Sequence, residues 1–278
     1  MIAAEFAYVA AQDRIKKALM AGATSLDLGV SQCRALTQLP PEIADLTKLQ
    51  NLYLNDTQVS DLSALSELSA LQTLWLNNTE VSDLSALSGL SALQTLWLND
   101  TEVSDLSALS GLSALQTLGL NDTMVSDLSA LSRMSALQTL WLDGTEVSDL
   151  RPVAFMRSAK LERGYHGIHF KGSKATRIDP RLAEISEIGD SQERLEMLFD
   201  YLEDWEPPQG DGATALPPSV PQERAAPISV EIVEGVLTSK AVLPLSDEQH
   251  EKLARDGWQA LKTFRDTFGA AFDLHNHG

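Results

Sequence analysis

The stretch Leu49-Gln-Asn-Leu-Tyr-Leu-Asn-Asp-Thr-Gln-Val-Ser-Asp-Leu62 is followed by Leu71-Gln-Thr-Leu-Trp-Leu-Asn-Asn-Thr-Glu-Val-Ser-Asp-Leu84. The same wording returns from Leu93, Leu115 and Leu137, a step of 22 residues each time. Side chains alternate between the two faces of a strand, so leucines in the order L-x-x-L-x-L all point one way. One such unit cannot bury its leucines alone. Stacked units share a continuous core, and stability becomes roughly a sum over neighbours. The period therefore predicts a row of short parallel strands, each returning through a turn on the far side.

Working outward towards the N-terminus, Ala23-Thr-Ser-Leu-Asp-Leu-Gly reads as a first strand. Leu36-Thr-Gln-Leu-Pro-Pro-Glu-Ile-Ala-Asp-Leu follows it, in a unit of 26 residues from Leu28 to Leu54. The Leu-Pro-Pro-Glu-Ile wording resembles typical bacterial leucine-rich repeats. Val-Ser-Asp-Leu-Ser-Ala-Leu-Ser-x-Leu, in the units after it, resembles the 22-residue class of the internalins. The resemblance covers residues 23–175 and implies a right-handed leucine-rich repeat solenoid, an α/β repeat fold with a parallel sheet on its concave side. It also implies an asparagine ladder, at whose positions this chain carries Thr57, Thr79, Thr101, Thr123 and Thr145.

The ends of a solenoid expose core leucines unless capped. Residues 1–22 predict a helical cap, with Phe6, Val9, Ile15 and Leu19 as its apolar face and Gly22 as its stop. After the irregular unit from Leu150, Tyr165-His-Gly-Ile-His-Phe reads as a last strand with Ile168 and Phe170 inward. Two helices opening at Asp179-Pro180 and Asp190-Ser191 form a C-terminal cap over 176–206, the second presenting Leu195, Leu198, Tyr201, Leu202 and Trp205. A Pro-rich linker spans 207–227. A partial module over 228–278 reads as a hairpin turning at Glu234-Gly235 and an amphipathic helix from Ser246 to about Phe272.

With 21 Lys and Arg against 39 Asp and Glu, the formal charge is −18. Nucleic acid and anionic membrane surfaces repel such a chain, so neither is expected as a partner. Cys33 is the only cysteine, which excludes a disulfide framework and favours a reducing, cytoplasmic setting. Residues 1–13 lack a basic segment and Glu5 interrupts their apolar run. No signal peptide is expected, so the surface-exposed role of internalins is not carried over.

If the leucines face inward, the alternate places face solvent on the concave side. The fifth place holds Tyr53, Trp75, Trp97, Gly119 and Trp141; the seventh holds Asn55, Asn77, Asn99, Asn121 and Asp143. Strands about 4.8 Å apart predict a contiguous stack of Tyr53, Trp75 and Trp97, with a notch at Gly119 before Trp141. Asp56, Asp100 and Asp122 lie beside it, and Glu80, Glu102 and Glu146 follow the threonines. An exposed aromatic strip flanked by carboxylates suits a basic protein or peptide, through cation–π contact and charge pairing. Two other readings stay open: a structural ladder of cross-strand aromatic pairs, and a carbohydrate site with sugar rings on the tryptophans. The chain also fits the recognition or regulatory half of a longer multidomain protein.

No cofactor, metal or catalytic role is expected. The repeated Ser-Asp pairs, such as Ser60-Asp61, read as turn caps rather than calcium sites, because no unit gathers enough oxygens. His166 and His169 have no carboxylate or cysteine at ligand spacing, and His275 and His277 end the chain. Cys33 reads as a buried structural thiol. Phosphate-loop, nucleophile-elbow and zinc-protease motifs are missing from the sequence.

Overall fold

The computed structural model describes residues 3–158, 166–205, 229–233 and 236–241. The linker expected over 207–227 and the helix expected from Ser246 lie outside the described residues. The chain divides into two units, Met1–Gly210 and Asp211–Gly278. In the second, β8 (Ser229–Val233) and β9 (Val236–Ala241) pair antiparallel, with a register irregularity between Ser229 and Glu231.

In the first unit, β1 (Ser25–Asp27), β2 (Asn51–Tyr53), β3 (Thr73–Trp75), β4 (Thr95–Trp97), β5 (Thr117–Gly119), β6 (Thr139–Trp141) and β7 (Gly167–His169) form one parallel sheet in chain order. Register follows the sequence period, so Leu52, Leu74, Leu96 and Leu118 pair in line. All four are fully buried, as are Leu54, Leu76, Leu98 and Leu120 two residues on. The return path carries a short 3-10 turn in each regular unit, Ser63–Leu65 in the first and Ser129–Leu131 in the last. This is the leucine-rich repeat solenoid.

Two columns of polar residues close each turn. Asp61, Asp83, Asp105 and Asp127 accept the backbone N–H of Ser63, Ser85, Ser107 and Ser129 through Oδ1, each at 2.8 Å. The backbone N–H and the hydroxyl of Ser63 hold the Asp61 carboxyl below its ordinary range, and those of Ser107 do the same for Asp105. After each of β2 to β6 the chain turns through a left-handed residue. Asp56, Asn78, Asp100 and Asp122 have φ of 58°, 54°, 55° and 54°, and Gly144 takes the place at 71°. Asp, Asn and Gly are the residue types that tolerate this conformation.

The threonines do not form the inter-repeat ladder. Thr57, Thr79, Thr101 and Thr123 are buried, and each hydroxyl donates to the carbonyl three residues earlier in its own unit, Leu54, Leu76, Leu98 and Leu120. The ladder runs one column away. Oδ1 of Asn55, Asn77, Asn99 and Asn121 accepts the N–H of Asn77, Asn99, Asn121 and Asp143 at 2.8–3.0 Å. Asp143 then accepts from Lys171 N–H at 2.7 Å.

The two caps differ from the sequence expectation in physical detail. Helix α1 (Ala3–Ala21) buries Ala7, Ala11, Ile15 and Ala18. Phe6, Val9 and Leu19, expected to face inward, are 56%, 53% and 45% exposed. Small side chains let the helix approach the first repeat closely, and that close approach selects the alanine face. At the other end three helices replace the expected two: α2 (Lys174–Ile178), α3 (Pro180–Ser186) and α4 (Ser191–Glu203). Leu195, Leu198, Leu202 and Trp205 are buried, as are Ile168 and Phe170 of the last strand region. The Asp179 carboxylate joins α3 to α4. It caps α3 through Arg181 and Leu182 N–H and accepts from Tyr201 Oη at 2.9 Å and Trp205 Nε1 at 2.8 Å.

Candidate functional site

The sheet face opposite the leucines carries one row formed by the last residue of each strand. In register order it reads Asp27, Tyr53, Trp75, Trp97, Gly119, Trp141 and His169. Alternation about Leu26 and Ile168 places the end members Asp27 and His169. The Leu-Asp-Leu and Ile-His-Phe spacings carried that signal, yet sequence reasoning on the repeats alone stopped short of both residues.

The row is not a contiguous stack. Tyr53 and Trp75 meet edge to face, centroids 5.0 Å apart and planes at 87°, a favoured aromatic geometry. Trp97 pairs with Trp75 in backbone register, but no ring contact joins them among the described residues. Instead Trp97 leans the other way, over Gly119. A Cβ built on Gly119 would lie 2.2 Å from Trp97 Cε3, so the notch expected there is filled by the Trp97 indole. The lean brings Trp97 within 6.2 Å of Trp141 across the glycine strand. Trp141 in turn lies flat against the His169 ring, at 3.8 Å and 5°. The row therefore holds an open pair, Tyr53–Trp75, and a packed group, Trp97–Trp141–His169. Trp75 is the most exposed of these tryptophans, at 37%.

The flanking residues divide by what else they do. Asn55, Asn77, Asn99 and Asn121 are half-buried and spend Oδ1 on the ladder. Asp143 is also committed to the ladder. Burial raises its pKa, while the Lys171 N–H and the nearby Arg194 act in the opposite direction. Arg194 is buried, donates to the carbonyls of Ile168 and Ile188, and ties α4 to β7 beneath His169. Glu80 and Glu102 are exposed, but they lie past the left-handed turn and off the strands. Glu146, in the same column, pairs with Arg177 of α2 at 2.6 Å, so its carboxylate is engaged by the cap. Asp27 pairs in register with Tyr53 and its Oδ1 accepts from Gly29 N–H at 2.9 Å, while the exposed Asp56, three residues after Tyr53, accepts from Asn78 Nδ2 at 2.7 Å through Oδ1.

His166 Nδ1 lies 3.0 Å from Thr139 Oγ1. No group of three or more metal-binding side chains exists among the described residues. Cys33 is fully buried, and burial raises its thiol pKa, which makes it a poor nucleophile. No described helix is long and apolar enough to cross a membrane.

Residues 69–112 match a family described as leucine rich repeats (two copies). No curated protein matches the chain. Among solved structures, an internalin C2 from Listeria monocytogenes shares 32% identity over 49% of this chain and 60% of its own, with a TM-score of 0.42. An internalin (inlF) from the same organism shares 24% identity over 66% of this chain and 59% of its own, with a TM-score of 0.43. The plant peptide hormone receptor RGFR1, in complex with RGF2, shares 20% identity over 49% of this chain and 23% of its own, with a TM-score of 0.42. This chain thus spans about three fifths of the length of either internalin.

Proposed function

We propose that this protein is a recognition scaffold whose concave sheet face binds a protein or peptide bearing Lys or Arg side chains. The observation that carries the reading is the open Tyr53–Trp75 pair, with Asp27 in register beside Tyr53 and the exposed Asp56 three residues beyond it. A guanidinium or ammonium laid on the Trp75 face gains cation–π attraction, and a neighbouring carboxylate adds charge pairing. The scaffold is fixed by the ladder before any partner arrives, so little ordering entropy opposes binding. The Trp97–Trp141–His169 group serves as a second, stiffer contact platform. Binding, not catalysis, is the work assigned to this face. A cytoplasmic setting belongs to the same proposal, in keeping with the single buried thiol.

Selection of random peptides on the immobilised full chain tests this. Enriched peptides should carry Lys or Arg next to an apolar residue, and their affinity should fall as salt rises. Enrichment of acidic or uncharged peptides would overturn the charge assignment. Binding to a glycan array with no peptide enrichment would transfer the face to carbohydrate.

A further inference from the structure

Helix α1 carries Phe6, Val9 and Met20 on the side away from the solenoid. Its buried stripe is Ala7, Ala11, Ile15 and Ala18. At 3.6 residues per turn, the stripe directly opposite is Phe6, Val9, Asp13, Lys16 and Met20. Its steps of three and four residues are the spacing that helix pairs use. Phe6 and Val9 are 56% and 53% exposed and Met20 is 80% exposed, with Leu19 alongside at 45%. A cap helix needs a polar outer face for solubility. This one presents exposed Phe6, Val9 and Met20 around the charges of Asp13 and Lys16.

We propose that α1 pairs with α1 of a second copy of this chain, antiparallel about a twofold axis passing between Arg14 and Ile15. The charges inside the stripe select that partner and that direction. In this register Asp13 faces Lys16 of the second copy and Val9 faces Met20 of the second copy, each contact occurring twice. Parallel pairing sets Asp13 against Asp13 and Lys16 against Lys16, which is repulsive. Lys16 has no ion-pair partner among the described residues. Asp13 bonds Lys17 one turn on, in a pair so exposed that sharing it with a second copy costs little. The helix also suits self-association better than the rest of a chain with net charge −18, since it carries Arg14, Lys16 and Lys17 against Glu5 and Asp13.

A groove beside the stripe, lined by Val9, Leu19, Glu42 and Asp45, extends the surface towards the first repeat. One helix pair is a small interface, at the low end of the specific class, so the dimer is weak and reversible.

Sedimentation equilibrium of the full chain, from micromolar to millimolar loading, tests this. The expected result is a monomer–dimer equilibrium. Phe6→Glu with Val9→Glu should leave a monomer with unchanged helical circular dichroism, because both side chains are exposed. Asp13→Lys and Lys16→Asp should each weaken self-association by about tenfold or more, the effect of turning two attractive contacts into like-charge contacts. The double exchange Asp13→Lys/Lys16→Asp should restore it, and so should mixing the two single variants. A wild type that stays monomeric at every concentration overturns the proposal. So does a dimer indifferent to the glutamates, or single-charge defects that neither the double exchange nor mixing repairs.

Discussion

The open pair Tyr53–Trp75 and the packed group Trp97–Trp141–His169 sit in one row of a single parallel sheet, and Trp75, Trp97 and Trp141 end strands of identical Thr-Leu-Trp sequence. They differ because of one residue. Gly119 lacks the Cβ that Trp97 would strike at 2.2 Å, so the indole of the preceding unit lies down over it. Trp75 has Trp97 as its in-register neighbour and no such gap to fall into, so it stays upright against Tyr53. Copying a repeat therefore does not copy its surface. Where each ring points depends on the side chain one strand further on, and a single glycine divides the aromatic row into an exposed pair and a packed group.

That contrast makes separable predictions for binding and for stability. The largest effect concerns affinity: Tyr53→Ala with Trp75→Ala should weaken peptide binding by about a hundredfold or more, the scale of aromatic hot spots. Trp97→Ala should instead destabilise the fold by about 1–2 kcal/mol by denaturant titration, less than a fully buried tryptophan because the ring is half-exposed. Gly119→Ala should cost about 1–2 kcal/mol, as expected for one methyl inserted into a filled space. It should also drive Trp97 off Trp141, seen as a change in near-ultraviolet circular dichroism. Were Gly119→Ala silent in both measurements, the division of the row would lose its cause.

A smaller effect should distinguish the two regions by pH. The packed group leans on the C-terminal cap, because His169 lies in β7 and Arg194 of α4 donates to the Ile168 carbonyl. Asp179 organises that cap. Burial raises its pKa, but hydrogen bonds from Trp205, Tyr201 and the Arg181 and Leu182 N–H groups outweigh burial and hold it below the ordinary carboxylate range. A carboxylate depressed in the folded state contributes stability above its unfolded pKa and loses it as pH falls through the folded one. Acid should therefore loosen the cap and the Trp141–His169 stack before the Tyr53–Trp75 pair, by residue-resolved hydrogen exchange. Asp179→Ala should cost about 1–2 kcal/mol at neutral pH, the price of a helix cap, and remove that acid step.

Much of this molecule was legible in its sequence. The 22-residue step sets strand register, and the L-x-L spacing sets which residues face out; Tyr53, Trp75, Trp97 and Trp141 follow from these two facts. Ring directions were not legible, because they depend on packing between units. The ladder was misplaced for a related reason. Thr57 and its repeats stand where the resemblance expects asparagine, but a short hydroxyl satisfies its own Leu54 carbonyl. The longer Asn55 amide, two residues earlier, spans the gap to the next strand. In α1 the alternation of apolar residues gave the helix, while the narrow space under it decided in favour of Ala7 and Ala11 over Phe6 and Val9.

The most direct test of the recognition role measures one peptide from the selection against the wild type, Trp75→Ala and Trp97→Ala, with melting curves for all three. Trp75→Ala should lose most of the affinity at an almost unchanged melting temperature, while Trp97→Ala loses stability and retains more of its affinity. The opposite pattern, with Trp75→Ala unstable and still binding, would make the aromatic row a structural ladder and place recognition elsewhere.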